Sequence, residues 1–138
     1  MNNLITKYQH KRLPKWLKTK LPGTQNFFQL KSLLKESGLN TVCESASCPN
    51  IGACWDAGTL TFMILGDTCT RACRFCDVPT GNMNSPDPNE PDKIALSLSR
   101  LNLNFAVITS VDRDDLPDGG AGHWVKTIKA IRDLCPKI

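Results

Sequence analysis

"TLTFMILGDTCTRACRFCD", residues 59–77, decides how this chain is read. Its first part, Thr59 to Leu65, is a run of apolar and β-branched residues of the length of one strand. Continuous rather than alternating apolarity fits a strand covered on both faces, as in a parallel sheet. Its second part places Cys69, Cys73 and Cys76 directly after that strand, spaced C-x3-C-x2-C. In folds of parallel strands, sites gather at the strands' C-terminal ends, where these three thiols stand.

Downstream, "PTGNMNSPDPNEPD" (79–92) is a polar loop punctuated by prolines. "DKIALSLSRLNL" (92–103) reads as a helix, with Ile94, Leu98 and Leu101 at i, i+4 and i+7. "NFAVITSV" (104–111) reads as a second buried strand and "DRDDLPDGGAG" (112–122) as a loop. "HWVKTIKAIRDLC" (123–135) closes the order as a helix with Trp124, Ile128, Ile131 and Cys135 on one face. Upstream, "NFFQLKSLLKESGL" (26–39) is a helix with Phe27, Leu30, Leu33 and Leu34 at helical spacing and Gly38 as its stop. Residues 40–58 read as a loop, and residues 1–24 as an irregular arm that Trp16 and Leu17 would anchor to the body. Strands alternating with helices imply an α/β fold with a parallel sheet and right-handed crossovers. Both strand-end loops would then open onto one mouth.

Bulk properties fit a globular chain: 138 residues, 41% hydrophobic and 22% charged. The longest apolar run, near "LTFMILG", is too short to span a membrane, and the N-terminus has no signal-peptide core. The expected compartment is therefore cytoplasmic. The net charge of +4 is uneven. All of the excess lies in residues 1–35, which hold eight Lys or Arg and no acidic residue. A basic arm on an acidic body suggests an anionic partner or a solvated tail.

Six of the seven cysteines fall between residues 43 and 76, a crowding that buried apolar cysteines do not explain. In a cytosolic chain it favours metal ligation over disulfides. Structural zinc usually takes four ligands with paired C-x2-C knuckles. Three unequally spaced thiolates suit a 4Fe-4S cluster that keeps one iron without a protein ligand. Cys43, Cys48 and Cys54, spaced C-x4-C-x5-C, offer a second triplet.

"CTRACRFC" resembles the signature of the radical S-adenosylmethionine enzymes. Together with "VCESASCPNIGACW" it resembles the lipoyl synthase family, as do "RLPKWLKTKLP", "TGNMNSPDPNEP" and "VITSVDRDDLPDGGAGHW". The resemblance implies a partial (βα)6 barrel, begun here by residues 59–138, behind an N-terminal extension (1–58) that carries an auxiliary cluster. It implies that Cys69, Cys73 and Cys76 hold the radical-generating cluster and Cys43, Cys48 and Cys54 a sulfur-donating one. It further implies S-adenosylmethionine as cofactor, with Phe75 beside the adenine and Ser110, Asp112, Arg113, Gly119 and Gly120 as candidate contacts. The reaction implied inserts two sulfur atoms into an octanoyl chain on a carrier domain, with an electron donor such as a ferredoxin or flavodoxin. A monomer without nucleic-acid or membrane partners is expected.

The family's core has six βα units, whereas residues 59–138 hold two and the start of a third. Its serine-bearing "RSSY" stretch has no counterpart here, so the chain is expected to be a fragment. Two rival readings remain: a radical methylthiotransferase acting on tRNA or a ribosomal protein, and a non-catalytic iron–sulfur or zinc module. His123 reads as a capping or packing residue, and Cys135 as core. The loop acids Asp112, Asp114 and Asp115 either contact cofactor or pair with Arg113 at the surface.

Overall fold

The computed structural model describes residues 14–19, 21–101 and 105–138. Helix α1 (Gln25–Ser37) begins where the Thr24 hydroxyl accepts the Phe27 N–H, and ends at left-handed Gly38. Strand β1 (Asn40–Thr41), helix α2 (Val42–Ser45) and helix α3 (Ile51–Asp56) follow. Strand β2 (Thr61–Ile64), helix α4 (Glu90–Leu101), strand β3 (Val107–Ser110) and helix α5 (Ala121–Leu134) complete the order. The expected loop at 40–58 is thus largely structured. Its turns are short enough that local contacts, not periodicity, decide them: the Thr41 hydroxyl accepts the Glu44 N–H and starts α2.

The sheet is small and mixed, in the order β1-β2-β3. β2 and β3 run parallel, with Ile64 opposite Ser110, joined by the crossover through α4. β1 runs antiparallel to β2, pairing Asn40 with Met63, so the sheet is not purely parallel as expected. β1 follows directly on α1, and the chain returns to β2 through α2 and α3.

β2 is central and covered as its composition requires: Phe62, Met63, Ile64 and Leu65 are all buried. β3 differs from expectation. It is a sheet edge, and Phe105 and Val107 are exposed beside an apolar groove of about 310 Å³ lined by Ile108, Ile128 and Ile131. Ile128 is therefore half-exposed, while Thr127 and Ile131 form the buried face of α5. Cys135 lies just past that helix, partly buried, its thiol directed at the Ala95 carbonyl.

α5 packs on α4, and α1 packs on α3 and α4. One core joins Phe27, Leu30 and Leu34 of α1 to Trp55, to β2 and to Ile94 and Leu98 of α4. Burying each such side chain stabilises the fold by about 1.5–3 kcal/mol. Trp55 stacks against Phe27 with ring centroids 5.1 Å apart. Lys15–Leu17 form a single 3₁₀ turn, and Trp16 and Leu17 are exposed rather than anchored. No helix among the described residues is long and apolar enough to cross a membrane. Lys20 and most of the basic arm lie outside the described residues.

Candidate metal centre

All seven cysteines are free thiols. Cys43 lies in α2, Cys48 in the turn after it and Cys54 in α3, all half-buried. Cys69, Cys73 and Cys76 follow the end of β2, where Leu65 and Gly66 take positive φ values of 70° and 108°. Cys69 is half-buried, while Cys73 and Cys76 are exposed. The Cys76 N–H closes a turn on the Cys73 carbonyl. Among the described residues, no three Cys, His, Asp or Glu side chains converge in a metal-ligating group.

The two thiol segments touch. The Ser47 hydroxyl, between Cys43 and Cys48, donates to Asp77 Oδ2 at 2.6 Å, next to Cys76. Ser47 has φ 48°, a conformation that costs a non-glycine residue free energy and is held by its surroundings. The donor chemistry fits iron–sulfur ligation: soft, unpaired thiols on two segments that touch through Ser47 and Asp77. One already carries a hydrogen bond suited to a thiolate, since the Asp112 N–H points at Cys69 Sγ, 3.3 Å away.

The loop after β3 meets the second thiol segment as the parallel register requires. The Thr70 N–H donates to the Asp112 carbonyl. Arg71 forks onto Asp114 through Nε and Nη2, both at 2.8 Å, and its Nε lies 3.3 Å from Asp112 Oδ2. That pairing pulls the Asp114 carboxyl down to about 2 and raises the Arg71 guanidinium. Within the loop, Arg113 pairs only with Asp115, whose carboxyl it holds below the usual range.

Arg113 is 3% exposed and works inside the protein. Besides its two bonds to Asp115, Nη1 donates to the Leu65 carbonyl and Nη2 to the Asn84 carbonyl. Four of the five guanidinium N–H groups are thereby committed, and the residue staples β2 to the 79–89 loop. Ser110 accepts the Trp124 indole N–H at 3.2 Å. Gly119 and Gly120 have φ values of 60° and 89°. Asp118 accepts the N–H groups of Gly120 and Gly122 at the start of α5, which lowers its carboxyl. Phe75 stands 92% exposed between the last two thiols.

Two arrangements were not evident from the sequence. Glu90, buried at the start of α4, accepts the Leu65 N–H at 2.9 Å and lies 2.6 Å from His123 Nε2. His123 is therefore a packed partner to a buried carboxylate. The Arg71–Asp114 fork spans 43 positions. Its signal is an arginine inside a cysteine motif opposite an acidic loop, but only the register shows that they meet.

Comparison with known proteins bears on this arrangement. A family profile described as the N-terminal domain of lipoyl synthase of the radical SAM family matches residues 2–48. Lipoyl synthase of Nitrosomonas eutropha is 56% identical over 126 residues, covering 91% of this chain and 40% of that protein. This chain is similar to the N-terminal part of lipoyl synthases. The lipoyl synthase of Neisseria gonorrhoeae is also 56% identical, over 123 residues and 37% of its length. That of Parabacteroides distasonis is 53% identical over 129 residues and 46% of its length. The chain thus spans less than half the length of these curated relatives.

Proposed function

We propose that this chain is the cluster-bearing N-terminal part of a lipoyl synthase, a sulfurtransferase that adds sulfur at C6 and C8 of a protein-bound octanoyl chain. The carrying observation is two free thiol triplets on segments joined through Ser47 and Asp77, in a chain 56% identical over 126 residues to a lipoyl synthase. That identity favours this reading over a methylthiotransferase or a non-catalytic module. Cys69, Cys73 and Cys76 would hold one 4Fe-4S cluster, with an iron open to S-adenosylmethionine, and Cys43, Cys48 and Cys54 an auxiliary one. When bound, these groups supply radical generation and sulfur.

The chain's own part is to fix where the ligands stand. β2 and Arg113 set the exit of the second thiol loop, and Asp112 supports Cys69 through its amide. Phe75 offers an exposed ring for the adenine, and Ser110, Asp112, Gly119 and Gly120 are the nearby strand-end candidates for the rest of that cofactor. Residues 59–138 would form the first two βα units of a (βα)6 barrel and residues 1–58 the extension. The partners of the whole protein would be an octanoylated carrier domain and a ferredoxin- or flavodoxin-like donor, in the cytoplasm.

The test is anaerobic reconstitution of the full chain with iron and sulfide, read by Mössbauer spectroscopy. Two 4Fe-4S clusters are expected. Cys69, Cys73 and Cys76 changed together to Ala should leave one, and abolish the spectral change caused by S-adenosylmethionine. Iron at neither triplet, or zinc filling both tightly, overturns the reading.

A further inference from the structure

We infer that Thr70, Arg71 and Asp114 form a positioning clamp that holds the Asp112 amide on Cys69 Sγ and so sets the reduction potential of the cluster ligated there. This rests on the reading that the Cys69 triplet binds an iron–sulfur cluster. The clamp acts through a backbone donor and does not itself touch the ligand.

The contacts interlock. The Asp112 N–H reaches Cys69 Sγ at 3.3 Å, and the Thr70 N–H returns to the Asp112 carbonyl at 3.1 Å. The Thr70 hydroxyl accepts the Asp114 N–H at 3.2 Å. Its single proton is shared between Asp114 Oδ2 at 3.1 Å and Asp112 Oδ1 at 3.3 Å. Arg71 then grips Asp114 with two parallel bonds at 2.8 Å. Asp112 is thus held from both sides: by β3 through Ser110 and Val111, and by the thiol loop through Thr70 and Arg71.

An N–H directed at a cysteine sulfur stabilises negative charge there. The reduced cluster carries one more negative charge than the oxidised one, so the bond favours reduction and raises the potential. Among the described residues no other cysteine sulfur receives a backbone N–H. A loosened clamp lets the amide drift, and the potential falls.

The sign separates this from plain electrostatics. Removing the negative charge of Asp114 would, by lost Coulomb repulsion alone, raise the potential, whereas loss of the clamp lowers it. Thr70→Val is neutral in charge and similar in shape, and isolates the hydroxyl.

The experiment uses the full chain with Cys43, Cys48 and Cys54 changed to Ala, so that only the Cys69 triplet can load. It is reconstituted anaerobically and titrated with dithionite under EPR. Thr70→Val and Asp114→Asn should keep the iron content and lower the potential, by about tenfold in the reduction equilibrium or about 59 mV for one electron. Arg71→Lys, which keeps charge but loses the fork, should fall between. Unchanged or raised potentials with iron retained overturn the clamp. Loss of iron in the clamp variants overturns it too, since the contacts would then serve assembly alone. A parent that binds no iron overturns the reading beneath it.

Discussion

Replacing Gly120 by Ala tests whether the ends of β2 and the loop before α5 are packed to contact. A Cβ on Gly120 would fall 2.5 Å from Leu65 Cδ1 and 3.2 Å from Cδ2. Leu65 has little room to retreat, being 1% exposed within the core. Relieving such overpacking costs about 1–3 kcal/mol. A side chain at the φ of 89° found there costs a further 1–2 kcal/mol or so. Gly119 is the internal control: its φ is 60°, but nothing lies within 4 Å of its Cβ position. Gly119→Ala should therefore cost about 1–2 kcal/mol and Gly120→Ala about 2–5 kcal/mol. Urea unfolding followed by tryptophan fluorescence measures both. With a slope of roughly 1–1.5 kcal/mol per molar urea, the two midpoints should differ by about 0.7–3 M. Equal midpoints would refute the packing argument and leave Gly120 free to be explained by ligand approach alone.

Two further predictions concern buried and ionised groups. Glu90→Ala orphans the Leu65 N–H and strands buried His123, so it should destabilise the chain by about 3 kcal/mol in the same assay, and Glu90→Gln by less. Asp114 is held at about 2, below its ordinary 3.8, by the Arg71 hydrogen bond, so its stabilising contribution is present above about pH 4 and lost as pH falls through 2. Stability of Asp114→Asn should consequently decline less between pH 4 and pH 2 than that of the parent, and parallel acid limbs would contradict the pairing.

The long elements were legible because periodicity reports them directly. α1, α4 and α5 bury residues at helical spacing, and β2 is apolar from Phe62 to Ile64, where it is buried. β1 escaped notice because two residues carry no pattern, and its pairing is decided by where α1 ends. α2 starts at the Thr41 hydroxyl, which accepts the Glu44 N–H, but a helix of one turn carries no periodicity to read. β3 looked buried because its residues are apolar, but an edge strand can be apolar too. At the site, the cysteine spacing alone supplied the candidate ligands. The roles of Arg113 and His123 needed coordinates, since a charged side chain reads the same whether it faces solvent or a buried carbonyl.

The parallel register has a consequence for tolerance to change. Because Ile64 stands opposite Ser110, the thiol loop and the acidic loop leave the sheet level with one another. A slip of one residue would carry Asp112 about 3.3 Å along the strand axis, a whole hydrogen-bond length away from Cys69, and would turn every β3 side chain to the opposite face. The sheet is thus the ruler against which the two loops are cut: their spacing is written in Phe62, Ile64 and the residues beside them.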